Sequence, residues 1–387
     1  MLRVLTLSSL FPDATRPNFG VFVERQTLSL AARCDIALEV IAPIGVPPWP
    51  LSRHARYRGF DVVPEREHWK GLAVHRPRFP VIPGGNGFAS AALMARAVLP
   101  VARRLHAQHR FDLIDAQFFF PDGPAARRIA RALDLPFSIK ARGADIHYWG
   151  RQRGSRKAIR DAGGSADGLL AVSAALRDDM ATLGIPSNRT RVHYTGVDLD
   201  RFRPGDRGAL KAERDIQGPL VISVGALIPR KGQALLIDAL TLLPGVTLAL
   251  AGEGSDRAKL EAQAARLGVS ERVRFLGSIA HEALPGWLAA ADVMALPSSS
   301  EGLANAWVEA LACGTPIVIS DCGGARELLD RPEAGRIVAR ESGEIASAIA
   351  ETLSNPPDAA QVRKTAERFT WEANSDALFA HLSALKR

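Results

Sequence analysis

The 387-residue chain reads as an α/β protein made of two doubly wound parallel-sheet domains. Three observations predict this. Short apolar runs alternate with helix-length amphipathic stretches from one end to the other. The runs are continuously apolar, as expected of strands in parallel sheets covered by helices on both faces. The same alternation restarts after the polar, Pro/Gly-rich stretch Phe202-Arg203-Pro204-Gly205-Asp206-Arg207-Gly208, the candidate linker.

In the first half, strands are expected at 3–8, 36–42, 72–76, 113–116, 137–140, 168–172 and 191–194, with helices at 22–32, 90–108, 123–132 and 174–183. In the second half, strands are expected at 220–224, 246–251, 273–276, 293–296 and 316–320, with helices at 234–242, 257–267 and 304–312. The connection 46–70, rich in Pro, Arg and His, reads as a surface excursion. Pro100 falls inside the helix-length stretch 88–110 and should kink or break it. Residues 1–200 and 201–369 then form the two domains, facing across a cleft. Ligands of doubly wound sheets bind beyond the carboxyl ends of the strands, so that cleft is the expected site.

Composition narrows the class. At 47% hydrophobic and 23% charged residues the chain is neither disordered nor fibrous. No run approaches the roughly 20 apolar residues of a membrane span, and the N-terminal Met1-Leu2-Arg3-Val4-Leu5-Thr6-Leu7 reads as a first strand. Cys34, Cys313 and Cys322 have neither metal-ligand spacing nor the even count of a disulfide scaffold. The expected location is the cytoplasm, with the inner face of the plasma membrane as the second address.

Charge is uneven. Residues 1–200 carry 28 Lys and Arg against 18 Asp and Glu, whereas residues 201–387 carry 21 against 23. The basic half suits nucleic acid, a phosphorylated substrate or an anionic lipid surface; Arg enrichment from a GC-rich genome gives the same bias. Within 88–110, Leu93, Met94, Val98, Leu99, Val101 and Leu105 accompany Arg96, Arg103, Arg104 and Arg110. That pattern fits a helix lying on an anionic membrane, and equally a core-facing helix with a solvated basic face. No recognisable nucleic-acid reader or aromatic interleaving is present, so no nucleic-acid partner is expected.

The segment with the most chemistry is Pro297-Ser298-Ser299-Ser300-Glu301-Gly302-Leu303-Ala304-Asn305-Ala306-Trp307-Val308-Glu309-Ala310-Leu311-Ala312-Cys313-Gly314-Thr315-Pro316. A strand ends, a Ser/Gly loop follows and a helix begins near Ala304, which presents free amides at a helix N-terminus. Glu301 sits at the loop and Glu309 about one and a half turns into the helix. Glu309 is embedded among apolar neighbours, where a carboxylate is costly unless something hydrogen-bonds to it.

This stretch resembles the E-x7-E signature of family 4 retaining, nucleotide-sugar-dependent glycosyltransferases, whose fold is the two-Rossmann GT-B architecture. The resemblance runs over nearly the whole chain. Pro17-Asn18-Phe19-Gly20-Val21-Phe22-Val23-Glu24 is similar to the family's first glycine loop, and Arg142-Gly143-Ala144-Asp145-Ile146 to its HG-x-D region. Gly196-Val197-Asp198-Leu199-Asp200-Arg201-Phe202 resembles the hinge, and Gly225–Gly232 the G-x-L-x-x-x-K-G loop. Gly252-Glu253-Gly254 and Phe275-Leu276-Gly277 follow in family order.

The resemblance implies roles. Glu309 would hold the nucleotide ribose and Glu301 the donor sugar, while the amides of Gly302, Leu303 and Ala304 would meet sugar and diphosphate. Lys231 and Arg230 would neutralise the leaving diphosphate. Gly225, Leu276, Gly20, Gly143 and Asp145 join the substrate-binding set, and Arg142 the catalytic one. The last helix, about 370–387, would cross back to the first domain, anchored by Trp371. Expected substrates are a nucleotide-diphosphate sugar and a saccharide or lipid-linked acceptor, with no metal and no other cofactor. Bacterial cell-surface polysaccharide or glycolipid synthesis is the expected setting, with peripheral contact with an anionic membrane as an option.

Two departures stand out: Ala226 replaces the family's usual Arg, for which Arg230 would compensate, and Arg142 replaces the usual His. Gly20 is open to a ligand-approach or a simple turn role, and Asp145 to capping or acceptor orientation. Asp198-Leu199-Asp200 is a D-x-D, but its place in the hinge-like segment argues against metal binding. No G-x-G-x-x-G follows the first strand, and no H-E-x-x-H or G-x-S-x-G occurs. The rival readings are a non-catalytic nucleotide-sugar-binding protein and another GT-B enzyme, such as a sugar-nucleotide epimerase.

Overall fold

The computed structural model describes all residues except Ala55, Arg56, Arg58, Gly85, Asn86 and Phe88, and all side chains of those but Asp61. Phe88, the start of the expected basic stretch, and part of the 46–70 connection therefore lie outside the described residues. Met1–Thr195 with Trp371–Arg387 forms one compact unit, and Gly196–Thr370 a second.

In the first unit the strands are β1 (Leu2–Leu7), β2 (Ile36–Ile41), β3 (Ile44–Val46), β4 (Arg66–Trp69), β5 (Leu72–His75), β6 (Arg78–Pro80), β7 (Leu113–Ala116), β8 (Phe137–Ala141), β9 (Gly168–Ala171) and β10 (Thr190–Val192). The helices are α1 (Val21–Ala31), α2 (Ser90–His109), α3 (Asp122–Leu133), α4 (Ala144–His147), α5 (Arg153–Ser165) and α6 (Ala174–Thr182), joined by the chain's last helix, Trp371–Ser383. The main sheet has the order β10-β9-β8-β7-β1-β2-β5-β4, and β3 and β6 form a separate pair. Strand order reverses at β1, between β7 and β2, so the crevice beyond those strand ends is the topological switch point.

Beyond β3, β6 and α5, which the expected pattern lacks, two further features differ from expectation. First, β4 pairs with β5 antiparallel. Lys70 and Gly71 both have positive φ, 48° and 88°, as in the primed turns that close two-residue hairpins. Arg66-Glu67-His68-Trp69 carries no apolar pattern to announce a strand. Second, α2 continues through Pro100 without interruption. Pro100 and Arg96, whose carbonyl loses its helical partner, both lie on the solvent side, where water can satisfy that group. The opposite side of α2, with Met94, Val98, Ala102 and Leu105, is buried.

The final helix belongs to this unit because Leu378 and Leu382 complete a core with Leu2, Val4, Leu30 and Leu113. Ser29 Oγ also donates to the Trp371 carbonyl at 3.1 Å.

The second unit contains α7 (Arg207–Ala212), β11 (Leu220–Val224), α8 (Gln233–Leu240), β12 (Thr247–Ala251), α9 (Arg257–Arg266), β13 (Val273–Gly277), α10 (Leu284–Ala290) and β14 (Val293–Leu296). These are followed by α11 (Asn305–Ala312), β15 (Ile317–Ser320), α12 (Ala325–Leu328), β16 (Gly335–Val338), α13 (Ser342–Ser354) and α14 (Ala359–Lys364), which makes the final helix α15. The sheet order is β13-β12-β11-β14-β15-β16, with every pair parallel. Leu248, Leu250, Val293, Ala295 and Val318 from the strands pack on Leu236, Ile237, Leu240, Ile345 and Ile349 from the helices. The switch point lies between β11 and β14, which places the loops after these two strands side by side.

Candidate functional site

In the second unit, the loop after β11 makes a single 3-10 turn at Pro229–Lys231 and enters α8 through Gly232, at φ 78°. A Cβ at Gly232 would stand 2.4 Å from the Pro297 carbonyl oxygen, so only glycine lets the two switch-point loops approach so closely. They are stitched together where the Ser299 amide donates to the Arg230 carbonyl at 2.8 Å. Arg340 Nε holds the Pro297 carbonyl at 2.9 Å.

This packing brings together three of the expected residues. Lys231 Nζ lies 2.5 Å from Glu301 Oε1, and Arg230 Nη1 lies 3.4 Å from the same oxygen. Arg230 also donates to the Ser300 carbonyl. Gly225, the residue after β11, lies beside Lys231: a Cβ there would be in ordinary contact, 3.5 Å from Lys231 Cε.

Gly302, Leu303 and Ala304 precede α11, and their amides donate no hydrogen bond among the described residues. The Gly302 carbonyl is taken by the Gly324 amide at 2.7 Å, which fixes the loop's orientation. Helix α11 buries Trp307, Val308, Ala310, Leu311 and Ala312, so Glu309 emerges from a mostly apolar helix. Its Oε1 meets His281 Nε2 at 3.0 Å, and the His281 ring packs edge-on against Phe202 at 5.4 Å. His281 was not among the expected site residues: it sits on the loop after β13, with no motif around it. Leu276 lies near the end of β13, separated from β11 by β12.

In the first unit the expected residues cluster beyond β1, β7 and β8. Asp145 acts as a local cap: its carboxylate accepts from the amides of Arg142 at 3.0 Å, Gly143 at 2.8 Å and Phe119 at 2.8 Å. Gly20, at φ 71°, opens α1. A Cβ there would come within 2.5 Å of the Leu10 backbone, so loop packing alone demands glycine. Arg142 donates from Nε to the Gln117 carbonyl at 2.7 Å and from Nη2 to Gln117 Oε1 at 2.6 Å. Its guanidinium lies over the Phe22 ring, 4.9 Å from the centroid. Burial lowers its pKa to about 10.

Behind Arg142 runs a buried polar chain that sequence reasoning missed. Gln26 Nε2 donates to Gln117 Oε1 at 2.6 Å, and Lys140 Nζ donates to Gln26 Oε1 at 2.8 Å and contacts His193 Nδ1 at 2.7 Å. His193 Nε2 faces the Asn374 carbonyl at 2.8 Å. A carbonyl only accepts, so Nε2 carries the proton and Nδ1 accepts from Lys140. Burial holds Lys140 well below the usual ammonium range and His193 below the usual imidazole range. Asp115 and Asp122 lie in the same interior, pushed up by burial to about 6 and about 7. The available signal was a polar residue inside an apolar strand, as at Asp115 in β7 and Lys140 in β8.

Asp198 of the D-x-D caps a turn, accepting the Arg201 amide at 3.1 Å. Among the described residues no cluster of three His, Cys, Asp or Glu side chains could hold a metal ion, and no helix is long and apolar enough to cross a membrane.

Comparison with known proteins adds sequence kinship to this geometry. Residues 39–201 match the model described as Glycosyltransferase Family 4, and residues 209–369 the model described as Glycosyl transferases group 1. The chain is similar to TuaC of Bacillus subtilis (strain 168), a glycosyltransferase ascribed to teichuronic acid biosynthesis: 29% identity over 357 residues, spanning 90% of this chain and 88% of TuaC. It is 37% identical over 227 residues to a GDP-mannose-dependent alpha-(1-6)-phosphatidylinositol monomannoside mannosyltransferase of Mycolicibacterium smegmatis. That match covers 55% of this chain and only 59% of the mannosyltransferase. Among solved structures, Anabaena Alr3699/HepE in complex with UDP and glucose superposes with a TM-score of 0.77 over the full length of both chains, at 23% identity; that likeness speaks for the fold.

Fold and matched domains together define the class: GT-B glycosyltransferases. The chain itself is a two-domain glycosyltransferase, its first half matching the model described as Glycosyltransferase Family 4 and its second the model described as Glycosyl transferases group 1.

Proposed function

We propose that the chain transfers a sugar from a nucleotide-diphosphate sugar to an acceptor hydroxyl with retention of configuration. The observation carrying this reading is the second unit's switch point. There, Lys231, Arg230 and the unpaired amides of Gly302, Leu303 and Ala304 adjoin the carboxylate of Glu301, with Glu309 further along α11. Cations and amides suit a diphosphate, and carboxylates suit sugar and ribose hydroxyls, which donate. In this reading Glu309 holds the ribose, Glu301 holds the donor sugar, and Gly225 lies beside Lys231 in the binding set. On the first unit, taken by itself, Arg142 would act in catalysis and Gly143, Asp145 and Gly20 would bind substrate; Leu276, near the end of β13, belongs to the second unit's binding set.

The bond from the sugar's anomeric carbon to the diphosphate oxygen breaks, and a bond to the acceptor oxygen forms on the same face. The acceptor's proton passes to the departing phosphate oxygen. Lys231 and Arg230 stabilise the charge that develops there, so the reading requires no metal and no other cofactor. Arg230 takes the part that an Arg at position 226 would play. The names of TuaC and the mycobacterial mannosyltransferase support a setting in cell-surface polysaccharide or glycolipid assembly, with a saccharide or lipid-linked acceptor. The work would be done in the cytoplasm, at the inner face of the plasma membrane.

The test is a panel of nucleotide-diphosphate sugars scored by thermal shift, because a ligand that binds only the folded chain raises its midpoint. One or a few donors should stabilise the protein, and nucleoside diphosphate should be released when acceptor is added. Stabilisation by none of the panel would overturn the reading; stabilisation without release would leave a binding protein.

A further inference from the structure

We infer that Lys140 is a positioning residue for the transfer reaction: opposite Asp115, it fixes which way the amides of Gln26 and Gln117 face, so that two amide oxygens converge on the Arg142 guanidinium and hold it in one orientation. This rests on the reading in which Arg142 acts in transfer.

A side-chain amide has an accepting end and a donating end, and turning it over exchanges them. Gln117 donates from Nε2 to the Asp115 carboxylate, which leaves its Oε1 facing the other way. That oxygen accepts from Arg142 Nη2 and from Gln26 Nε2, each at 2.6 Å. Gln26 is turned in the same sense. Its Oε1 accepts from Lys140 Nζ at 2.8 Å and lies 3.3 Å from Arg142 Nη2. Lys140 has this N–H to give in either charge state, because its contact with His193 Nδ1 takes only one. Turning Gln26 over would set its NH2 against two donors and its oxygen against the Gln117 oxygen. With an acceptor at one end and a donor at the other, the pair of amides has one satisfied arrangement.

The guanidinium is held accordingly. Nε is taken by the Gln117 carbonyl at 2.7 Å and Nη2 by the two amide oxygens, while the ring of Phe22 lies beneath. Nη1 has no hydrogen-bond partner among the described residues. A planar fork fixed along one edge presents its remaining N–H groups in a set direction, which suits an anion.

Packing does not account for Lys140. Its neighbours in β8, Ile139 and Ala141, are buried and apolar, and Lys140 itself is fully buried. An amine there is costly, and burial holds it well below the usual ammonium range. An apolar side chain of the same length would fill the space without that cost, but it could give no N–H to Gln26.

The experiment is a double-mutant cycle between Arg142→Ala and Lys140→Met, which keeps the length of the side chain and removes its N–H groups. Turnover is read as nucleoside diphosphate released from UDP-glucose or GDP-mannose at saturating donor, per molecule folded by circular dichroism. Alone, Lys140→Met should lower turnover about tenfold to a hundredfold, the scale for a catalytic group displaced by about 1 Å, with donor KM changed little. In the Arg142→Ala chain the same substitution should change turnover by no more than about twofold, within the usual error of additivity. Gln26→Met breaks the same contacts from the other side and replaces Lys140→Met in the cycle if that variant folds poorly.

A second readout needs no donor and so stands apart from the transfer reading. Phenylglyoxal labels arginine side chains, and Arg142 should react about tenfold faster in Lys140→Met than in the parent, the scale of one hydrogen bond to a charged group. Exposed Arg127 is the internal standard. Unchanged turnover in Arg142→Ala would remove Arg142 from the machinery and the proposal with it. Impaired Arg142→Ala beside unimpaired Lys140→Met would overturn the proposal alone. So would an equal loss from Lys140→Met in both backgrounds, the mark of a merely structural role, or equal labelling of Arg142 in the parent and in Lys140→Met.

Discussion

Lys231 Nζ and Glu301 Oε1 are 2.5 Å apart, with both side chains mostly buried, so each is the other's principal counter-charge. An incoming diphosphate must compete with Glu301 for Lys231, and the carboxylate thus released becomes free to accept a sugar hydroxyl. Lys231→Ala removes the cation and leaves Glu301 with Arg230, 3.4 Å away, as its remaining ion-pair partner. Loss of one preorganised charge at a developing anion costs about 10²- to 10³-fold in turnover. That drop is expected in nucleoside diphosphate release. Glu301→Gln should lower turnover while donor affinity changes little. Full activity in both variants would sink the assignment.

Glu309 differs in its partner: a ring nitrogen of His281 lies 3.0 Å from its Oε1, where Glu301 has the side chains of Lys231 and Arg230. Glu309→Ala should weaken donor binding by about tenfold or more, the scale of one hydrogen bond to a charged group. Turnover at saturating donor should be largely retained. His281→Ala should have a smaller effect, because water can replace the ring beside a carboxylate that is not fully buried. Donor titration by thermal shift gives the comparison. A larger loss in His281→Ala than in Glu309→Ala would make the histidine the contact.

The contrast between Glu301 and His281 shows what one chain discloses. Glu301, Gly302–Ala304 and Glu309 lie in one contiguous loop-helix segment, and Lys231 lies in another, so each could be read from its local pattern. The pairing of Glu309 with His281, 28 positions away, depends on how α11 and the loop after β13 come together. Lys140 and His193, 53 positions apart, meet through the same kind of tertiary coincidence. Strands with continuous apolar runs, such as β11 and β14, were legible because burial on both faces leaves that trace. Strand β4 left none; it is held by its hairpin turn and its ladder to β5.

Gly232 tests whether the close approach of the switch-point loops matters. Alanine there combines an unfavourable φ of 78° with a Cβ 2.4 Å from the Pro297 carbonyl oxygen, a rigid backbone atom. Strain of this kind costs about 1–3 kcal/mol. Relief would require the loops to part, which would separate Lys231 from Glu301. Gly232→Ala should therefore lower both stability in urea and turnover. Gly343→Ala, where an added Cβ meets nothing within 4 Å, serves as the control. Unchanged turnover in Gly232→Ala would mean that the loop spacing is not needed for transfer.

Asp122 gives the fold a pH dependence of predictable sign. It is fully buried, with Oδ2 accepting the Ser9 amide at 2.9 Å and Oδ1 without a partner among the described residues. Burial pushes its carboxyl up to about 7. Between the ordinary value and this one, the folded chain holds a proton that the unfolded chain has released. The associated stability is therefore fully present below about pH 4 and is lost as pH rises through about 7. Asp122→Asn keeps an acceptor for Ser9 and cannot ionise. It should match the parent near pH 4 and exceed it near pH 8 by a few kcal/mol, because holding that proton against each successive pH step of one costs about 1.4 kcal/mol. Asp115, raised to about 6 by the same cause, is present in both chains, so the difference isolates Asp122. Urea denaturation at several pH values gives that difference directly, and a difference that does not grow with pH would mean that burial does not raise the Asp122 carboxyl above its ordinary value.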